Sequence, residues 1–88
     1  MDKELLPHYR DQIDTIDGEI VYLLSRRFEI VKQIWTLKKK HNIPARQQNM
    51  FKDLLQRLIE DAKHRGVNEE LIKDIYNRIH EESLRLEK

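Results

Sequence analysis

The sequence predicts an all-α protein of three helices, a long first one and two shorter ones, whose core is completed by a second copy of the chain. Three observations carry this. Only two glycines and two prolines occur in 88 residues, too little turn punctuation for a strand-rich fold. Apolar residues recur every three or four positions in three stretches, which is the spacing of one helix face. The first stretch is too long for a compact domain of this size.

The first stripe runs through Leu6, Tyr9, Ile13, Ile16, Ile20 and Leu23, then Val31 and Ile34, and predicts a helix from about Leu5 to His41. At ~1.5 Å per residue that is roughly 55 Å. A compact chain of this length has a radius of gyration of about 12 Å, so the stripe requires a second chain. Asn42, Ile43 and Pro44 interrupt it, because the residue before a proline is pushed out of the helical region. Phe51, Leu54, Leu55, Leu58, Ile59 and Ala62 predict a second helix over about Arg46 to Arg65, with Gly66 suited to the left-handed position beyond its end. Asn68 is placed to cap a third helix, with Glu69 and Glu70 in the first turn where the helix dipole favours acids. Leu71, Ile72, Ile75, Tyr76, Ile79, Ser83 and Leu86 form its buried face.

Residues 1–88 are expected to be a single domain, since chains divide at roughly 100 to 200 residues per domain. So small a chain buries only about 60% of its unfolded surface, and oligomerisation is the natural remedy. Seventeen Lys and Arg against sixteen Asp and Glu leave a net charge of +1, which counts against bulk electrostatic binding of nucleic acid. The absence of cysteine removes disulfide frameworks and Cys-based zinc sites. No apolar run approaches the ~20 residues that span a bilayer, and no signal peptide is read before the first helix. The default that remains is a soluble cytoplasmic protein.

The informative positions are those where a polar residue takes an apolar place. Continuing the first stripe by threes and fours lands on Arg27 from Leu23 and on Lys38 from Ile34. Eleven residues at about 100° each come to three turns plus about 20°, so these cations share one face about 16 Å apart. A buried cation costs several kcal/mol unless it meets an anion. Arg10 lies about 260° round from Arg27 and faces elsewhere, which suits it to a neighbouring chain's cavity. On the third helix, Ser83 and Glu87 continue the stripe of Ile72, Tyr76 and Ile79. Cations, a hydroxyl and a carboxyl enclosed by apolar helices make a pocket for a small dianion.

Plainer readings stand beside this one. Arg27 and Lys38 can snorkel to solvent, Lys38 to Lys40 can complement a helix C-terminus, and Glu87 can belong to a frayed end. His8, His41, His64 and His80 lack a metal-ligand spacing and are read as solvated surface positions, so no metal site is expected. Trp35, beside Ile34, is read as packing, with a subunit contact as one option. No Gly-rich phosphate loop, nucleophile elbow or Ser-His pairing is present, and covalent catalysis is not indicated.

Arg10, then Ile13-Asp14-Thr15-Ile16-Asp17, then Leu23-Leu24 before Arg27, with Lys38 eleven residues on, Pro44, and Glu81-Glu82-Ser83-Leu84, resembles the all-helical chorismate mutases of the AroQ type over nearly the whole chain. The resemblance implies an intertwined homodimeric helical bundle whose first helices span both subunits. It implies the Claisen rearrangement of chorismate to prephenate, in phenylalanine and tyrosine biosynthesis, without a cofactor. By the same resemblance Arg27, with Arg10 from the other chain, grips the two carboxylates, and Lys38 binds a carboxylate and donates to the ether oxygen. Ser83 seats the ring carboxylate, and Glu87 sits opposite Lys38.

One stretch departs from the family pattern. Where the family carries an Asp and then an Arg-Glu pair, this chain has Gln47, Met50 and Phe51, so the glutamate that accepts the ring hydroxyl and one cation are missing. Arg46, one turn before Met50, is a candidate to replace the charge, and Gln47 is kept as a substrate contact. The same scaffold acting on 4-amino-4-deoxychorismate, or on isochorismate as a pyruvate lyase, is therefore an alternative. A non-catalytic helical dimerisation module is another.

Glu87 as a carboxylate repels the ether oxygen and can donate to it only when protonated. Turnover is expected to rise toward acid pH. A rate profile flat from about pH 5 to pH 8 would remove that role from Glu87.

Overall fold

The computed structural model describes residues 2–44 and 48–87, the side chains of Gln48 and Asn49 excepted. After a 3₁₀ turn over Asp2–Leu5, which the apolar spacing does not reveal, come three helices: α1 over Leu6–Lys40, α2 over Gln48–His64 and α3 over Glu69–Arg85. No strand occurs among the described residues. Pro7 falls in the first turn of α1, where its missing N–H is not needed. The 35 residues of α1 make roughly 52 Å of continuous helix. The chain forms two compact units, Met1–Ile30 and Val31–Lys88.

Within Met1–Ile30 the apolar stripe of α1 stands in solvent. Ile13 is 57% exposed and Leu23 55%, and α1 contains no buried residue. The hydroxyls of this unit turn back on their own helix, Thr15 Oγ1 donating to the Asp11 carbonyl and Ser25 Oγ to the Tyr22 carbonyl, the usual outcome when a hydroxyl is exposed on a helix.

Within Val31–Lys88, α2 and α3 pack together, and among the described residues Ile59, Ala62 and Ile79 are the buried apolar side chains. Each helix end is locally encoded. Asn42 takes φ 55°, and with Asn42 N–H donating to Lys39 and Ile43 N–H to Lys38 it closes α1 in a Schellman motif. Gly66, at φ 73°, does the same for α2, with Gly66 N–H to Lys63 and Val67 N–H to Ala62. Asn68 caps α3 through Oδ1, which accepts from Leu71 N–H at 3.0 Å. The second helix ends at His64, one residue before the expected Arg65, and its first described residue is Gln48.

The ion pair of Lys63 with Glu69 at 3.3 Å joins the end of α2 to the start of α3. The hydrogen bond and charge of Glu69, helped by Glu60, hold the Lys63 ammonium above the ordinary lysine range. That contribution is complete below the ordinary lysine value and is lost as pH rises through the raised one.

With a core this small, Ile79→Ala is expected to lower stability by about 2–4 kcal/mol and Asn68→Ala by about 1 kcal/mol. Urea unfolding followed by circular dichroism measures both. Equal effects would show that the α2–α3 core contributes no more than one cap.

Candidate functional site

The last turns of α1 and α3 and the 42–44 turn enclose an open groove of about 470 Å³, lined by Trp35, Lys38, Lys39, Asn42, Ile43, Pro44 and Glu87. Lys38 and Glu87, expected to oppose one another, thus face one space. Pro44 and the left-handed Asn42 fix its outer wall, since together they stop α1 and turn the chain.

Lys38 is half-buried, whereas Lys39 and Lys40 are exposed. Its ammonium sits 4.7 Å from the centroid of the Trp35 ring, within cation–π range. The indole is itself held, because Nε1 donates to the Ser83 carbonyl at 3.0 Å. Ser83 Oγ donates to the Ile79 carbonyl at 3.0 Å, so to seat a carboxylate its O–H has to exchange that acceptor for the ligand. Glu87 is half-buried, and its N–H donates to the Leu84 carbonyl at 3.2 Å, so the last turn is wound through this residue.

Beside it, Arg85 donates through Nε to Glu82 Oε1 at 2.7 Å. This hydrogen bond, with the arginine charge, holds the Glu82 carboxyl below its usual range and the Arg85 guanidinium above. The contribution is present above the ordinary carboxylate value and disappears as pH falls through the lowered one.

The remaining expected residues divide as follows. In the first unit Arg10 is exposed and Arg27 half-buried. Arg46 and Gln47 lie outside the described residues. Met50 is 63% exposed, and Phe51, half-buried, stacks on His80 with ring centroids 3.9 Å apart and planes 10° from parallel. His80 is therefore not the solvated surface residue expected. It is half-buried and bridges α3 to the first turns of α2, a pairing that single-helix periodicity cannot show.

Trp35 is the residue whose part the sequence reading missed. Its signal was present: it stands three positions before Lys38, the spacing at which helix side chains meet. Among the described residues no group of three His, Asp or Glu converges to hold a metal ion, and no helix is long and apolar enough to cross a membrane.

The sequence profile of the family described as chorismate mutase type II matches residues 9–88. The T-protein of Haemophilus influenzae is 31% identical over 80 residues, covering 91% of this chain and 21% of that protein. The bifunctional chorismate mutase/prephenate dehydratase of Buchnera aphidicola from Schizaphis graminum is 35% identical over 86 residues, covering 98% of this chain and 22% of that protein. Its counterpart in Aquifex aeolicus is also 35% identical, over 97% of this chain and 24% of its own. The chain thus spans about a fifth to a quarter of the length of these relatives. No solved structure matches at a significant level.

Proposed function

The chain belongs to the type II chorismate mutase family, and from that membership we propose that it catalyses the rearrangement of chorismate to prephenate as a homodimer, with residues 1–88 acting as one domain. The observation that carries the reading is the convergence of Lys38, from α1, and Glu87, just beyond α3, on one groove. The reaction needs that pair. In the Claisen step the ether C–O bond breaks as the new C–C bond forms within one molecule, and no group is transferred to the protein. Catalysis consists of holding the compact diaxial conformer and stabilising the negative charge that grows on the ether oxygen.

In this reading the Lys38 ammonium donates to the ether oxygen from one side and Glu87 faces that oxygen from the other. Arg27, with Arg10 of a second chain, grips the two carboxylates by charge-assisted hydrogen bonds. Ser83 seats the ring carboxylate, and Arg46 and Gln47 contribute from the segment after Pro44. The second chain is argued from α1: Leu6, Tyr9, Ile13, Ile16, Ile20 and Leu23 are each half or more exposed, a continuous apolar stripe of the kind that marks an interface. No nucleic acid or membrane enters the scheme, the net charge being +1, and the reading places the enzyme in the cytoplasm.

Phe51 gives a second reading its footing. With its ring stacked on His80 it offers no acceptor to a ring hydroxyl, which favours a substrate with another ring substituent, 4-amino-4-deoxychorismate or isochorismate. A dimer without catalysis is the remaining alternative.

Purified protein given chorismate is expected to consume it, seen as loss of its ultraviolet absorbance, and to form prephenate that acid converts to phenylpyruvate. Arg27→Ala and Lys38→Ala should each lower kcat/KM by about 10²–10³-fold. Turnover only of the amino substrate, or release of pyruvate from isochorismate, would transfer the reading to those substrates. Inertness on all three would leave a binding module.

A further inference from the structure

We infer that Trp35 is a positioning residue for Lys38, its N–H anchored to the last turn of α3 and its ring face holding the Lys38 ammonium. The inference rests on the proposed role of Lys38 at the ether oxygen and adds to it the element that fixes the ammonium in place.

The last carbonyls of a helix have no partner further along the helix and must find one elsewhere. In the final turn of α3 the Glu82 carbonyl accepts from Leu86 N–H, and the Leu84 carbonyl from Glu87 N–H. Glu87 N–H is the group that would reach the Ser83 carbonyl in an undistorted helix. It has moved one residue on, and the Trp35 indole takes up the Ser83 carbonyl at 3.0 Å. An indole has a single N–H and no acceptor, so this bond fixes where the N–H edge of the ring points and, with the side chain's attachment to α1, holds the ring in place.

The fixed ring bears on Lys38. Residues 35 and 38 share a face of α1, and the ammonium lies 4.7 Å from the ring centroid. A lysine head on a flexible four-carbon stem otherwise sweeps a wide volume. Held on the indole, it lies in the groove that Glu87 also lines. One side chain thereby joins the cation of α1 to the turn of α3 that carries Ser83 and Glu87. The contact is selective, since Lys39 lines the same groove but is exposed.

The arrangement explains why tryptophan, and not a smaller aromatic, stands here. Phenylalanine would keep the face for the cation and lose the bond that anchors the ring to α3. Leucine would lose both. Trp35→Phe is therefore expected to lower kcat about threefold and Trp35→Leu about tenfold or more, with KM changed less, because misplacement of a catalytic group acts mainly on the transition state. In a Lys38→Ala background Trp35→Leu should cost nothing further. A merely structural tryptophan would instead lower the residual rate of Lys38→Ala by the same factor, or lower the amount of folded protein without changing kcat.

A second readout does not depend on turnover. Over the indole face the Lys38 ε-methylene protons are shielded, so in wild type their NMR resonance lies upfield of the other lysines and returns to their range in Trp35→Leu. Should Trp35→Leu fail to fold, Trp35→Phe carries the kinetic comparison and a partly retained upfield shift. Unchanged kcat in both Trp35 variants, additive losses with Lys38→Ala, or a Lys38 resonance among the ordinary lysines would each overturn the inference. If wild type turns over no chorismate while the shift is present and lost in Trp35→Leu, the functional reading falls and the holding of Lys38 by Trp35 stands.

Discussion

The constraint on which the rest depends is an imbalance between apolar surface and the chain available to cover it. The helix α1 carries a stripe of Leu6, Tyr9, Ile13, Ile16, Ile20 and Leu23 with every member half or more exposed, while the buried apolar side chains are Ile59, Ala62 and Ile79. At roughly 25 cal/mol per Å² of apolar surface, and about 1.5–3 kcal/mol for a fully buried large aliphatic, the stripe outweighs that core. A chain that kept it in water would forgo most of its available stabilisation. In the proposed homodimer a second copy, presenting the same stripe, would answer the imbalance by the isologous pairing that two-fold dimers use. It would also explain how a site asking for several cations is assembled from a chain whose arginines lie so far apart in sequence.

The groove illustrates a second rule, that helix ends are chemically unfinished. Two C-termini, of α1 and α3, bring the negative ends of their dipoles to one place, and their last carbonyls take partners from beyond the helix or from Trp35, while Lys38, Lys39, Lys40 and Arg85 fall in the corresponding last turns. For Lys39 and Lys40, both exposed, dipole compensation is a sufficient account. It is insufficient for Lys38, which is half-buried and held on an indole. The same distinction applies to Glu87. A frayed terminal residue would not be half-buried, with its N–H bonded to Leu84 and its side chain against the groove. What looked from the sequence like alternative readings of one cluster of charges separates, residue by residue, once burial is known.

Periodicity made most of the fold legible. Three helices, their order, the bounds of α1 and the end of α2 to within a residue follow from apolar spacing together with Gly66, Asn68 and Pro44, because these signals are local and each has a backbone mechanism. Asn42 was recognised only as part of a break, although its left-handed φ is what closes α1. Pro44 alone was enough to predict a stop, so the sequence put no further demand on its neighbour. The 3₁₀ turn at Asp2–Leu5 is too short to show a period. Lys38 and Glu87 were legible as polar interruptions of two stripes. Of Trp35 the spacing to Lys38 was legible but the anchor was not, and of His80 the stack was not, since the anchor of one is a backbone carbonyl and the partner of the other a ring on another helix. Neither partner leaves a trace in the spacing of a single element.

The Phe51–His80 pair bears most directly on substrate choice. A carboxylate at position 51 would face a ring 3.9 Å away and would need a polar environment that the half-buried junction of α2 and α3 does not supply. Phenylalanine and histidine solve the packing problem there with two flat faces of similar size, and the stack joins the start of α2 to the later part of α3. What Phe51 lacks is a hydroxyl acceptor, while Lys38 and Glu87 line their groove where α1 and α3 end. Under the proposed function, the departure from the family pattern falls on the part of the site that would read the ring substituent. On the proposed reading, a scaffold altered in this way would keep the pair assigned to the rearrangement and would discriminate less by what the ring carries.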